Sequence, residues 1–176
     1  MFSDPENNVK QFGLAPGMQV ADFGSGSGFY AMAAAKVVAP SGKVFAVDIQ
    51  KDLLQKLKNG AKQNNLSNLD IIWGDLEHLG GTKLRESSMD AVTACNLFFQ
   101  IENKDALCLE IKRILRLNAR VLIVDWGGTF GGIGPQPKDV ISKMHMTALF
   151  QDHGFKLDHE ISAGAEHYGL IFRKVD

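Results

Sequence analysis

Short apolar runs typical of strands alternate along the chain with segments whose apolar positions recur every three or four residues, as in helices. The predicted strands are Met18–Phe23, Lys43–Asp48, Asp70–Trp73, Ala91–Cys95, Arg120–Asp125, Lys156–Ile161 and Tyr168–Lys174. The predicted helices are Phe29–Val38, Lys51–Asn64, Asn103–Leu115 and Lys138–His153. This alternation predicts a single α/β domain over residues 1–176, with a seven-stranded, mostly parallel sheet and helices on both faces.

The last two predicted strands are joined by the short segment Ser162–His167, which allows only an antiparallel hairpin. If the first of them runs parallel to the rest of the sheet, the hairpin turn lies at the carboxyl edge, where open α/β sheets bind ligands. His167 and Tyr168 are then expected near that edge, together with Trp126, which follows the fifth strand.

The most informative segment is Val20–Phe29, in which a strand ends at Asp22-Phe23 and passes through glycines at every second position into an alanine-rich helix. Glycine permits a positive φ and lets a ligand approach the backbone closely. The following helix directs its free N–H groups and positive dipole end toward the turn. These features together predict a cofactor cradle.

Two more strands also end in acids, at Asp48 and Asp75. Asp48 follows the glycine turn by about 20 residues, the spacing at which dinucleotide folds bind ribose hydroxyls. Three successive strand ends would thus place three carboxylates along one sheet edge. They suit an extended ligand with an amine, a ribose and an adenine amino group.

A nicotinamide cofactor is the main rival, and its fingerprint is G-x-G-x-x-G. Here the third glycine, Gly28, falls one position early, and Phe29 stands where that fingerprint requires glycine. Asp22 would also repel a pyrophosphate, whereas it suits a ligand that carries an ammonium or sulfonium group.

The chain resembles the class I S-adenosylmethionine-dependent methyltransferases, in particular the small-molecule type that includes quinone-biosynthesis enzymes. The matching segments are V-A-D-F-G-S-G-S-G-F-Y from Val20, V-F-A-V-D-I-Q from Val44, G-D-L from Gly74, C-N-L-F-F-Q from Cys95 and R-V-L-I-V-D-W from Arg120. They cover nearly the whole chain in the expected order. The resemblance implies a Rossmann-like fold and a methyl donor that leaves as S-adenosylhomocysteine.

The same resemblance implies a set of binding residues. Gly24, Ser25, Gly26 and Gly28 would hold the methionine end, with Asp22 and Asn96 facing it. Asp48 would bind the ribose, Ile49 would pack on the adenine, and Gly74, Asp75 and Leu76 would meet the adenine edge. One departure concerns the acceptor: Asn96-Leu97-Phe98-Phe99 lacks the two prolines typical of enzymes that methylate nucleobase amines.

Candidates for the acceptor side each have a structural alternative. His167 is the candidate general base, because its ordinary pKa lies near neutrality; alternatively it is a hydrogen-bonded histidine at a strand start. Phe29, Tyr30, Trp126 and Tyr168 are candidate substrate contacts, or else packing residues. The glycine-rich stretch Gly127–Pro137 is either a lid or a plain surface connection.

Composition excludes several classes. A net charge of −1 provides no field for gathering nucleic acid. No apolar run is long enough to span a bilayer. Cys95 and Cys108 lack metal-ligand spacing, which predicts reduced thiols in a cytoplasmic protein and no metal site.

Three functions therefore remain: a methyltransferase acting on a small molecule, which the resemblance favours, one acting on a protein or RNA side group, and a cofactor-binding module without turnover. The chain has little before its first strand that could roof a small pocket. Either the site is open, which favours a macromolecular acceptor, or a homo-oligomer closes it.

Overall fold

Over residues 3–129 and 132–176, which the computed structural model describes, seven strands form one sheet. The strands are β1 (Gln19–Phe23), β2 (Lys43–Asp48), β3 (Leu69–Trp73), β4 (Met89–Cys95), β5 (Leu115–Trp126), β6 (Phe155–Ile161) and β7 (His167–Lys174). Their order across the sheet is β3-β2-β1-β4-β5-β7-β6. β1 to β5 pair in parallel, and β7 is antiparallel to both of its neighbours. The predicted fold class is confirmed.

Five α-helices surround this sheet in the described part of the chain. They are α1 (Pro5–Phe12), α2 (Phe29–Val38), α3 (Lys51–Gln63), α4 (Lys104–Ile114) and α5 (Lys143–Asp152). α1 is absent from the sequence prediction, although Asp4 caps it by accepting from the Asn7 amide and Gly13 ends it in the left-handed region. The predicted start of the last helix, Lys138, is wrong because Ser142 is the N-cap and accepts from the His145 amide.

The sheet separates two apolar cores. On one face α4 and α5 contribute Leu107, Ile111 and Phe150, and Phe150 stacks on Phe172 of β7 with ring centroids 4.5 Å apart. On the other face α1, α2 and α3 pack Phe12, alanines of α2 and Leu57 against the sheet. Because both faces are covered, the central strands are apolar on both sides, as the sequence pattern indicates.

The C-terminal hairpin has the expected direction. β7 pairs with β5 so that Tyr168 lies opposite Asp125 and His167 lies opposite Trp126. β6 is antiparallel to β7 and therefore runs parallel to β1–β5. The turn between β6 and β7 consequently lies at the carboxyl edge of the parallel strands, next to the end of β5.

Candidate active site

A cavity of about 650 Å³ opens at the carboxyl ends of the parallel strands. It brings together most of the residues that the sequence nominates. They are Asp22, Gly24, Ser25, Gly26, Phe29, Tyr30, Asp48, Ile49, Gly74, Asp75, Leu76, Asn96, Trp126 and His167. Gly28 and Tyr168 do not line it.

The glycine turn is fastened to the end of β2. The Gly24 and Ser25 amides donate to the Val47 carbonyl at 2.9 and 3.1 Å, and the Gly26 amide donates to Asp48 Oδ2 at 2.8 Å. Gly26 has a φ of 53°, and a Cβ on it would meet no atom within 4 Å. This bare backbone next to the start of α2 leaves room for a polar ligand.

Gly28 packs against Leu57 of α3 and does not line the cavity. Its φ is 93°, and a Cβ there would lie 2.0 Å from Leu57 Cδ1 on α3. The prediction that Gly28 touches the cofactor finds no support in this position. Glycine suits this position because its φ is positive and because a Cβ would overlap the Leu57 side chain unless that side chain moved.

Asp22 is buried at the end of β1 and accepts a 2.6 Å hydrogen bond from the Thr93 hydroxyl through Oδ1. Burial raises the pKa of Asp22 to about 7, against the lowering effect of Thr93 and the Ala31 amide. Within residues 3–129 and 132–176, Oδ2 has no hydrogen bond of ordinary geometry. A buried carboxylate oxygen without a hydrogen bond of ordinary geometry, on a residue that lines the cavity, fits a cationic ligand group.

Two further polar atoms of lining residues, Asn96 Oδ1 and Ser25 Oγ, are buried without hydrogen-bond partners in the described structure. Asn96 adopts a φ of 54°, and its amide donates to the Val124 carbonyl at 2.7 Å. This left-handed turn directs the chain over the end of β4. The unsatisfied groups around the glycine turn are therefore suited to the amino-acid part of S-adenosylmethionine.

Asp48 and Asp75 lie beside this region on the ends of β2 and β3. Asp48 accepts from the Gly26 and Gln50 amides, each at 2.8 Å, and each oxygen retains a further lone pair. Asp75 accepts from the Glu77 amide at 2.9 Å. Ile49, which is 54% exposed, presents apolar surface between them. This sequence of groups suits a ribose followed by a flat adenine.

Two aromatic residues at the start of α2 differ in their surroundings. Phe29 is 67% exposed at the cavity. Tyr30 is buried, and its hydroxyl makes hydrogen bonds with Ser3 Oγ at 2.5 Å and Asn8 Nδ2 at 2.8 Å. Burial raises the pKa of Tyr30 above its ordinary value, so Tyr30 is a wall residue tied to the N-terminal segment and stays protonated.

His167 packs its ring against Trp126 with centroids 4.4 Å apart. Neither Nδ1 nor Nε2 has a hydrogen-bond partner in the described part of the chain, and burial lowers the pKa of His167. The imidazole is therefore neutral near pH 7, and its unpartnered acceptor nitrogen is buried in a residue that lines the cavity.

Tyr168 lies away from the cavity because successive residues of a strand face opposite sides of the sheet. Its hydroxyl donates to the Ile141 carbonyl at 3.0 Å, and its ring packs against the core under α5. The structure thus gives no support to Tyr168 as a substrate contact.

Sequence reasoning missed several lining residues, namely Ser3, Pro5, Gln50, Leu53, Glu77, Leu97, Gln100, Ile101 and Ile133. Gln50 and Glu77 follow Asp48 and Asp75 closely, so their positions were a usable signal. Ser3 and Pro5 reach the cavity only through the tertiary packing of α1. In the stretch Gly127–Pro137, Ile133 lines the cavity, while Phe130 and Gly131 lie outside the described residues, so the lid remains a prediction.

Within the described ranges, no group of three or more His, Cys, Asp or Glu side chains could hold a metal ion. The same residues contain no helix with the length and apolarity that crossing a bilayer requires.

Comparison with known proteins points to one family. A family described as a methyltransferase domain matches residues 14–169. The arsenite methyltransferase of Halobacterium salinarum is 31% identical over 134 residues, which cover 76% of this chain and 32% of that protein. The ubiquinone/menaquinone biosynthesis C-methyltransferase UbiE of Hahella chejuensis is 26% identical, over 76% of this chain and 53% of that protein. The chain therefore spans only about a third to a half of the length of these curated relatives.

Solved structures include a relative of similar size. The crystal structure of a SAM-dependent methyltransferase from Aquifex aeolicus superposes with a TM-score of 0.89 at 26% identity. The match covers 99% of this chain and 91% of that one. The arsenic methyltransferase of Chlamydomonas reinhardtii shares the fold, with a TM-score of 0.72 at 21% identity.

Proposed function

The chain belongs to the S-adenosylmethionine-dependent methyltransferases, and we propose that it transfers the methyl group of this cofactor to a small organic acceptor. The carrying observation is the cavity in which three strand-end carboxylates meet the glycine turn. Among them, Asp22 Oδ2 is buried with no hydrogen bond of ordinary geometry in the described structure.

The binding residues follow from the unsatisfied atoms of Asp22 and Asn96 and from the remaining lone pairs of the Asp48 carboxylate. Asp22 Oδ2 and Asn96 Oδ1 accept from the ammonium of the methionine part, while Asp48 accepts from the ribose hydroxyls. Ile49 and Leu76 pack on the adenine, and Asp75 accepts from its amino group. Bound S-adenosylmethionine supplies an electrophilic methyl on a sulfonium, which is an excellent leaving group. The protein has only to align and desolvate the acceptor and to remove a proton where the nucleophile carries one.

His167 is the proposed general base. Its lowered pKa keeps the ring neutral, and both ring nitrogens lack partners among the described residues. Trp126 packs on the ring and limits its rotation. A neutral imidazole in this position accepts the proton of an acidic hydroxyl as the nucleophile reacts.

The charges around the cavity favour an uncharged acceptor. Carboxylates of Asp22, Asp48, Asp75 and Glu77 line it, whereas no described lysine or arginine does. A carboxylate or phosphate group on the acceptor would therefore be repelled by these carboxylates in a poorly solvated cavity. Aromatic surface from Phe29 and Trp126 suits a planar apolar molecule.

Two relatives suggest different acceptors, and the cysteines discriminate between them. Trivalent arsenic is a soft acceptor that binds thiolates. This chain has two cysteines: Cys95 lines the cavity, and Cys108, on α4, is buried in the core. Burial raises the pKa of the Cys95 thiol well above its ordinary value, which disfavours the thiolate. We therefore place a quinol-like ring ahead of arsenite.

Calorimetry tests the cofactor, with S-adenosylhomocysteine as ligand and NAD as control. Micromolar binding of the first alone supports the proposal, and no binding to folded, ligand-free protein contradicts it. Labelled S-adenosylmethionine is then offered with 1,4-dihydroxynaphthalene, 1,4-dihydroxy-2-naphthoate or arsenite. Preferential methylation of the uncharged diol is expected. Preference for the carboxylate would contradict the charge argument, and binding without transfer to any acceptor would favour a non-catalytic module.

The buried free cysteines are consistent with a reducing compartment, and we propose a cytoplasmic location. A homo-oligomer that closes the cavity is a further proposal, tested by the mass of the protein in solution.

A further inference from the structure

Glu110 of α4 is a carboxylate with no exposed surface that does not line the cavity. Its oxygens accept from the Gly80 amide at 2.7 Å, the Thr82 hydroxyl at 2.5 Å and Arg113 Nε at 2.8 Å. Burial alone would raise the pKa of Glu110, but these hydrogen bonds outweigh it and lower the pKa to about 2. The group is therefore ionised and fully committed to its partners.

Its partners belong to the loop that follows β3. Glu110 accepts from the amides of Gly80 and Thr82, the two residues that flank Gly81. A Cβ on Gly81 would lie 1.9 Å from the Asp75 carbonyl oxygen, and a Cβ on Gly74 would lie 2.6 Å from the Gly81 carbonyl oxygen. The loop thus folds back directly onto the backbone of Gly74 and Asp75, and Glu110 holds the returning segment in place.

A second set of contacts fixes the other side of the same region. Lys83 Nζ donates to the Trp73 carbonyl at 2.7 Å, and Trp73 Nε1 donates to the Ile49 carbonyl at 2.9 Å. The returning loop is therefore bound at Gly80 and Thr82 by Glu110 and at Lys83 by the end of β3. Asp75 and Leu76 lie between these fixed points.

We infer that Glu110 is a positioning residue for the adenosine half of the cofactor site, acting through the loop that carries Asp75 and Leu76. This inference rests on the proposed function, because that function assigns Asp75 and Leu76 to the adenine. A carboxylate buried behind the site sets the backbone position of the residues in front of it. Its loss therefore affects recognition of adenosine more than the chemistry at the methyl group.

The test compares wild type with Glu110→Gln, which keeps the side-chain shape and removes the charge. Calorimetric titrations use adenosine and S-adenosylhomocysteine separately. We expect both affinities to fall by a similar factor, on the order of tenfold, because a small displacement of binding groups has that effect. The kcat measured at saturating S-adenosylmethionine changes little, while the KM for S-adenosylmethionine rises. Thr82→Val, which removes one donor to Glu110, serves as a milder variant if Glu110→Gln does not fold.

Phe155→Leu is the matched control, because Phe155 is buried on β6 and packs against Phe150, with ring centroids 5.2 Å apart, away from the cavity. It lowers the melting temperature but leaves both affinities unchanged. Adenosine affinity within twofold of wild type in the glutamate and threonine variants would overturn the inference. A wild-type protein that binds no S-adenosylhomocysteine would instead overturn the proposed function.

Discussion

Asp22 and Thr93 lie side by side on β1 and β4, and the Thr93 hydroxyl satisfies one oxygen of a carboxylate whose other oxygen has no donor of ordinary geometry in the described structure. One carboxylate oxygen of Asp22 is therefore hydrogen-bonded within the protein, and the other is left for a ligand. The oxygen without a hydrogen bond of ordinary geometry costs stability in the free protein, and it gains a partner when a cation binds. Two predictions follow from this arrangement.

Replacement of Asp22 by Asn is expected to stabilise the free protein at pH 8. In the folded protein the pKa of Asp22 is raised to about 7 from 3.8. The protonated carboxyl therefore contributes its full stabilisation below pH 3.8, and this contribution is lost as the pH rises through 7. The loss amounts to at most about 4 kcal/mol. Denaturant unfolding at pH 8 and pH 3.5 measures it, and equal stability of both proteins at pH 8 would contradict the prediction.

Affinity for S-adenosylhomocysteine is expected to rise with pH up to about 7, because the ammonium group of the ligand binds the ionised form of Asp22. Below that pH the affinity falls by about tenfold per pH unit. Calorimetry in buffers of different ionisation enthalpy would detect the proton released on binding. The Asp22→Asn variant supplies the control: it binds weakly, and its affinity does not follow this pH dependence.

His167→Gln is expected to lower kcat between about 100-fold and 10,000-fold with little change in the KM for S-adenosylmethionine, because it removes a proton acceptor used in the transition state. Because burial lowers the pKa of His167, the kcat of the wild-type protein should stay constant as the pH falls through the ordinary histidine pKa. It should decrease only at lower pH. Steady-state kinetics across pH provides the measurement.

The neighbouring Tyr168→Phe variant is the control for His167. It removes a hydrogen bond to the Ile141 carbonyl on the opposite face of the sheet and costs about 1 kcal/mol of stability. Its kcat stays at the wild-type value. A comparable loss of kcat in both variants would mean that His167 acts through folding and not as a base.

Gly28→Ala is expected to destabilise the protein, since the new Cβ would lie 2.0 Å from Leu57 Cδ1 at a φ of 93°. The left-handed backbone costs about 1–2 kcal/mol and the overlap about 1–3 kcal/mol more. A double-mutant cycle with Leu57→Ala should show that the overlap term disappears. Gly26→Ala carries only the backbone cost and has no interaction with Leu57, so additive effects in the Gly28 cycle would refute the packing role.

The ends of β1, β2 and β3 were predictable because in each an apolar run reaches an acid or a glycine. Asp22, Asp48 and Asp75 consequently meet where the pattern places them. Asn118, within β5, has a φ of 65°, a left-handed conformation that asparagine tolerates better than most residues. Both signals are local in sequence.

Other features depend on packing between distant segments. Gly28 and Gly26 are identical residues two positions apart, and only the approach of Leu57 assigns them different roles. Strand alternation places His167 and Tyr168 on opposite faces of β7, but the sequence alone does not tell which face borders the cavity. Glu110 resembles any helical surface acid until the loop after β3 is seen to cover it.

During synthesis, the residues proposed to bind the methyl donor are made well before His167. The groups from Asp22 to Ile101 lie on β1 to β4 and the segments that follow them, whereas β7 enters between β5 and β6 only after both have been made. Because a domain generally folds as a unit, we expect the donor site to reach its final form only when β7 is in place between β5 and β6. The final strand both completes the sheet and brings the proposed base, His167, to the cavity.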